Sequence, residues 1–579
     1  VINPKLNYTL IKGRNSVKVG YEYQAINTEI DDFNPVYGQD TYGGFFSSGP
    51  SIANSGAYSC GNPSIGNPSP PACINDIGYK EAGALADFLL GARSAYQLNN
   101  FRIVNYHQRM NFFYVQDDLK LRRNLTINAG LRYELVTPQY VDGDTLANFD
   151  PTTKTLIQAK SGSVTDRAMV GMPKLDFAPR IGFSYGLNDK TVLRGGYGIS
   201  FDQFNREGGE NLLAYNGPYI VNSSITQNAI TKVNNVATIT PACATNVQNA
   251  NCFSPIQQGY GVNFVSAAGF STALAQTRYI PKDIATGYSQ AWHFGLQRTL
   301  KQGTLLDVSY VGEHGVKIWV LDDVNQASPN IPSATCSSTV TTGCVSLLNR
   351  RPIQGFTGIE GSSNAGMMIY HGAQVRLEHR YANGLYLLNA FSYSRTIDNA
   401  SGHLDTPNGD NSRVNLANLK GERSQSAYSQ PLNDTLTAIW DLPYGHGRHW
   451  GASTNRAMQI IAGGWQVSAI ETATSGQPVN LTYSAPTQFS VSDLLTYRPN
   501  VNGTPKTPRG LWVKKATSLT NYLSTTAVTT PTDVSQPYGN AGRNSLRDNP
   551  FYQTNMGLHK EFPLWSESSN LDFRAEAFN

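Results

Sequence analysis

The stretch Asn111–Thr137, NFFYVQDDLKLRRNLTINAGLRYELVT, constrains the fold more than any other. In its second half Leu125, Ile127, Ala129, Leu131, Tyr133 and Leu135 alternate with Thr126, Asn128, Gly130, Arg132 and Glu134. Strand side chains project to opposite faces with a period of two, so one face is apolar and the other polar. In the first half Phe113, Val115, Leu119 and Leu121 alternate with Tyr114, Gln116, Asp118, Lys120 and Arg122. A tight polar turn, Arg122-Arg123-Asn124, joins the halves. The unit is a long β-hairpin, and each arm has the roughly ten residues that a tilted strand needs to cross a bilayer.

The hairpin recurs. Leu6, Tyr8 and Leu10 lead through Lys12-Gly13-Arg14-Asn15 to Val17, Val19, Tyr21 and Tyr23. Ile181 to Leu187 turn at Asn188-Asp189-Lys190 into Leu193 to Phe201. Trp292, Phe294 and Leu296 turn at Lys301-Gln302-Gly303 into Leu306, Val308 and Tyr310. Val375, Leu377 and Tyr381 turn at Ala382-Asn383-Gly384, where Asn-Gly suits positive φ, into Leu385 to Arg395. Leu436 to Leu442, Trp465 to Thr474, Tyr552 to Phe562 and Leu571 to Phe578 follow. With weaker strands expected around Leu85–Leu90 and Gln97–Val104, the pattern predicts about sixteen strands.

Connection lengths are bimodal. Tight turns alternate with long Gly-, Pro- and Asn-rich segments, about 27–83, 137–174, 201–287, 315–366, 396–430 and 483–551. Outer-membrane barrels have this asymmetry, with short periplasmic turns and long exterior loops, whereas propellers repeat at a fixed period with even connections. Phe112, Phe113, Tyr133, Phe201, Trp292, Trp319, Tyr381, Trp440, Tyr444 and Trp465 fall near strand ends and are expected to form interface girdles. The fold class predicted is all-β: a large antiparallel transmembrane β-barrel. The turn at Arg122–Asn124 is assigned to the periplasmic rim. Leu125, Ile127, Leu131 and Tyr133 are assigned to lipid, and Arg132 and Glu134 to the lumen.

Composition supports this and excludes other classes. Charged residues are only 15% of 579, with 31 Tyr and 23 Phe, unlike a disordered chain. A net charge of +4 is too small at this length to suggest a nucleic-acid partner. There is no apolar run of about 18 residues for a membrane helix. A mean hydropathy of −0.34 is compatible with a barrel, whose strands alternate lipid-facing and lumen-facing residues. No signal peptide is visible from Val1 onward, and the sequence from Leu571 reads as a strand in progress, so both ends are read as fragment ends.

The six cysteines form three close pairs, Cys60/Cys73, Cys243/Cys252 and Cys336/Cys344, each in a long loop. They lack zinc-ligand spacing and read as local disulfides in an oxidising compartment. No metal, cofactor or catalytic residue is assigned, and no enzyme activity is expected. His446 and His449 in Gly445-His-Gly-Arg-His449 read as a polar turn. Asp117 and Asp118 are adjacent in a strand and face opposite ways, with one expected in the lumen near Arg132. Arg132, Glu134, Arg194, Arg376, Glu378 and Arg380 are the candidate lumen-facing polar wall, joined by Arg180, Arg574 and Glu576.

Several stretches resemble the barrel of TonB-dependent outer-membrane receptors of the Oar-like group of acidobacteria and myxobacteria. They are Ala86-Asp-Phe-Leu-Leu-Gly91, Tyr114-Val-Gln-Asp-Asp-Leu119, Leu125-Thr-Ile-Asn-Ala-Gly-Leu-Arg-Tyr-Glu134 and Phe177-Ala-Pro-Arg-Ile-Gly-Phe183. Leu193-Arg-Gly-Gly-Tyr-Gly198, Gly464-Trp-Gln466, Ser475-Gly-Gln-Pro478, Arg543-Asn-Ser-Leu546 and Phe573-Arg-Ala-Glu-Ala-Phe-Asn579 complete the set. The resemblance implies a barrel of about 22 strands closed by an N-terminal plug. It implies uptake of a scarce or large solute, driven through the TonB complex, in the bacterial outer membrane and its lipid. Residues 1–579 are then part of that barrel domain, with the plug, the TonB box and the closing strand outside them. A passive porin-like channel and a surface adhesin or assembly protein are the alternatives.

Overall fold

The computed structural model describes residues 1–30, 37–43, 46, 77–100, 103–203, 213–227, 230–233, 236–239, 253–261, 264–265, 272, 277–301, 303–382, 384–401, 413–445, 448–453, 455–503, 526–563 and 569–579. Its main sheet has seventeen strands, three of them short loop pieces at Tyr140–Val141, Thr277–Tyr279 and Ser424–Gln425. The rest form the wall: β1 (Lys5–Lys12), β2 (Asn15–Ile30), β3 (Val104–Arg122), β4 (Leu125–Val136), β5 (Asp176–Asn188), β6 (Thr191–Asp202) and β7 (Gly287–Lys301). They continue as β8 (Thr304–Asp323), β9 (Ile359–Ala382), β10 (Leu385–Asp398), β11 (Leu432–Asp441), β12 (Trp465–Thr474), β13 (Phe551–Pro563) and β14 (Asn570–Ala577). Every wall strand pairs antiparallel with the next, so the wall is one up-and-down meander. Among the described residues no ladder joins β1 to β14, and both are exposed along their length.

The predicted turns hold at the short end. Gly13 adopts φ +63° and Gly384 φ +79°, a backbone region that costs glycine nothing. Two connections at this end are longer. One, after Asp441, carries a helix, Arg456–Ala462, whose last carbonyls (Ile460, Ile461 and Gly463 beyond it) accept from Lys560 Nζ. The ammonium complements the negative end of the helix dipole.

The outward rows are apolar and exposed. In antiparallel ladders directly opposed residues share a face, so Tyr21, Phe113, Tyr133 and Phe177 form one row across four strands. Their rings stand 4.8, 6.4 and 4.6 Å apart in turn. Val19, Val115 and Leu131 run beside them, also exposed. This is the lipid face, with an aromatic belt toward its exterior edge. Replacing Leu131 with Arg on this face should destabilise the protein by about 2 kcal/mol in a folding titration in lipid. An unchanged titration midpoint would reverse the assigned orientation.

Two expected strands are corrected. Leu85–Leu90 lies in an α-helix, Ile77–Leu90, stopped by Gly91 at φ +69°. A short apolar run has no period that separates helix from strand. In place of a strand over Gln97–Val104, Ala95–Asn99 belongs to a separate three-stranded sheet and Val104 opens β3. The girdle is also corrected. Phe112 is buried on the inward row, because neighbours in a strand cannot both face lipid, and Trp319 is buried among the exterior loops.

The dry core lies at the long-loop end. Ile30, Val104, Tyr106 and Trp319, on strand ends that overrun the bilayer, pack with Val141, Leu146, Leu213, Ile220 and Ile280 from the loops. Phe149, Ile353, Phe356 and Ile359 form a second cluster. The exterior loops are therefore a folded cap, built on the inward rows of the strand ends.

Candidate functional site

The inward rows carry the polar wall. One runs Gly20–Tyr114–Arg132–Ala178, the next Lys18–Gln116–Gly130–Arg180–Gly198–Ala291, and the third Ser16–Asp118–Asn128–Gly182–Gly196–His293. Arg132 donates from Nε to Glu134 at 2.8 Å and lies 4.3 Å over the Phe112 ring. Glu134 also accepts from Gln203 at 2.7 Å. Arg376 donates to Glu378 at 2.8 Å along the inward face of β9. Arg194 sits inward between Ser184 and Gly295, exposed. The side chain of Arg380 lies outside the described residues. Asp118 accepts from Asn128 (2.6 Å), Gln116 (3.0 Å) and Lys18 (3.4 Å), not from Arg132. Asp117 faces outward between Val17 and Ala129, with one carboxylate oxygen buried and unpartnered.

Glycines hollow this wall. Gly130, Gly182, Gly196 and Gly198 are neighbours on the inward rows and floor a cavity of about 640 Å³. A Cβ at Gly196 would stand 2.7 Å from the His293 ring, and one at Gly198 3.3 Å from Cγ of Arg180. Glycine at these positions lets Arg180 and His293 lie across the floor. Lys18, Arg132, Arg180 and His293 border the hollow. Lys18 and Arg132 are neutralised by Asp118 and Glu134, while Arg180 and Arg194 form no ion pair among the described residues. The hollow therefore favours an anionic group, held by charge and hydrogen bonds.

Above it the cap is fastened by ion pairs, most of them buried on at least one side. Arg351 reaches Asp323 at 3.2 Å and Asp493 at 2.6 Å, and Arg498 reaches Glu422 at 2.9 Å. Arg413 reaches Glu360 at 3.1 Å, Arg93 reaches Asp40 at 3.0 Å, and Arg543 pairs with Asp398. Cys336 and Cys344 form a disulfide beside Phe489 and Val534. Cys60, Cys73, Cys243 and Cys252 lie outside the described residues, as does His446. His449 lies exposed against Trp450. Among the described residues no cluster of His, Cys, Asp and Glu fits a metal ion.

Sequence reading missed these cap arginines. Only Arg543 fell in a motif singled out beforehand. A usable signal was present: full charges in otherwise uncharged, Gly- and Asn-rich loops.

Taken together, the meander of alternating strands, the apolar outer face with its aromatic belt and the polar inner face define a membrane-spanning β-barrel wall. The chain belongs to the family described as outer membrane beta barrel domain, whose model matches residues 1–579. Its place is the bacterial outer membrane. No curated protein matches it. Among solved structures it is similar to the outer membrane transporter YddB from Escherichia coli, at 11% identity over 100% of this chain and 50% of that one, with a TM-score of 0.42. It is similar to the siderophore receptor PirA from Acinetobacter baumannii, at 11% identity over 97% and 48%, with a TM-score of 0.39. The FrpB iron transporter from Neisseria meningitidis follows at 9% identity over 98% and 49%, with a TM-score of 0.36. The chain spans about half the length of the solved structures it matches.

Proposed function

We propose that this chain is barrel wall of a TonB-dependent receptor of the Oar-like group. A scarce or large solute is captured at the exterior cap and passes along the lumen when a plug, carried elsewhere in the receptor, rearranges. Energy comes through the TonB complex, and no bond in the solute is made or broken. The observation that carries this reading is the inward hollow, with glycines clearing space, Arg180 at its border and Arg194 on the next inward row left unneutralised, beneath a packed cap. The motif resemblance over nearly the whole chain supports the receptor class.

A passive channel is separated by conductance. The full-length protein in a planar bilayer should carry almost no steady potassium chloride current, because the plug fills the lumen. A permanently open pore would overturn the receptor reading.

A further inference from the structure

The wall is split on its lipid face near the exterior rim. The β5–β6 ladder stops at Arg180↔Gly198, although β5 stays paired to β4 as far as Asp176↔Glu134 and β6 to β7 as far as Asp202↔Gly287. The seam opens at Pro179, which has no N–H to donate. The split holds a cavity of about 560 Å³ walled by Leu175, Ile199, Phe201 and Tyr288. Ile199, Phe201 and Tyr288 lie on outward rows, and the Phe201 and Tyr288 rings meet at a tilt, 6.0 Å apart.

Three lysines, Lys174, Lys282 and Lys317, stand around this cavity, all exposed. Their backbones are pinned: the carbonyl of Lys174 accepts from Tyr133 Oη at 3.1 Å, that of Lys282 from Gly171 N at 2.8 Å, and that of Lys317 from Asn364 Nδ2 at 2.9 Å. None of the three forms an ion pair among the described residues. Asp166 feels the Lys282 charge at a distance, but its carboxylate is engaged by Ser163. Asp176 accepts from Thr286 and Gln203, which leaves Asp283 as the exposed carboxylate of the lining.

Tyr133 belongs to the aromatic belt, so Lys174 is fixed at the level where acyl chains give way to headgroups. An apolar slot at that depth with three cations at its mouth matches one chemistry: an acyl chain below and a phosphate above. We infer that the split between β5 and β6 is a binding site for a phosphate-bearing lipid headgroup of the outer leaflet. The lipid closes the unpaired seam.

The test is native mass spectrometry of the full-length protein in detergent, titrated with diphosphoryl lipid A. The change K174A/K282A/K317A should weaken binding at least about tenfold, while K154A leaves it unchanged. Dephosphorylated lipid A should bind the unaltered protein as poorly as the phosphorylated lipid binds the triple variant. Wild-type affinity in the triple variant would overturn the site. Displacement by millimolar inorganic phosphate would overturn the lipid as its occupant and leave a simple anion site.

Discussion

Replacing Arg351 with Ala should cost about 3–5 kcal/mol, because it leaves a buried carboxylate without its counter-ion. The Asp323 side chain is fully buried, and that of Arg351 is 1% exposed. Asp323 also accepts from Ser492 Oγ at 2.6 Å and from the amide of Asn325 at 2.9 Å. Arg351 donates to the Asn325 carbonyl at 2.8 Å. Asn325 in turn donates to the carbonyls of Ile353 and Thr357 at 3.0 and 2.9 Å. One guanidinium thus joins the end of β8, the loop after it and the distant loop around Ser492. The loss should be visible as faster hydrogen exchange at Asn325, Val491 and Ser492, with the wall amides unchanged. Replacing both partners, as R351M/D323L, should recover most of it, since no lone charge then remains buried. Unchanged exchange in R351A would show that the cap does not depend on this pair.

The contrast between wall and cap explains what the sequence made readable. A strand's period of two is local, so β3, β4 and their turn are legible in Asn111–Thr137 alone. So are the inward places of Arg132, Glu134, Arg194, Arg376 and Glu378, which follow from parity. Parity also contradicts the girdle at Phe112, since Phe113 beside it faces lipid. The cap is written in pairs with no period: Arg351 meets Asp323 28 residues away and Asp493 142 residues away. Trp319 lies on a strand end that overruns the bilayer, where Val141 and Ile280 from the loops convert an interface aromatic into a core residue. The helix Ile77–Leu90 escaped because Leu89-Leu90 against Asp87-Phe88 alternates no better as a helix than as a strand. The glycine hollow was visible residue by residue, yet only the register of β4 to β7 shows that Gly130, Gly182, Gly196 and Gly198 share one floor.

Asp322→Asn should remove a pH dependence from the same cap. Asp322 is near the end of the 20-residue β8, about 60 Å along the strand from the periplasmic turn at about 3.3 Å per residue. A barrel's apolar band is only about 25 Å tall, so this carboxyl stands well outside the membrane. Burial pushes its titration up to about 7, and the neighbouring Asp323 and Glu360 carboxylates push the same way. Gly361 permits this placement, since a Cβ there would stand 2.6 Å from Oδ1 of Asp322, an oxygen with no hydrogen-bond partner. The folded state therefore holds a proton that the unfolded chain, titrating near 3.8, releases. The stabilisation is complete below about pH 4, is lost as pH rises through about 7, and is flat above that. An isosteric amide is neutral at every pH and donates to the carboxylates beside it. The variant should match the wild type near pH 4 and exceed it by about 2–4 kcal/mol at pH 8, read as the protection of cap amides at the two pH values. Equal pH slopes for the two proteins would mean that Asp322 is ionised in the folded cap.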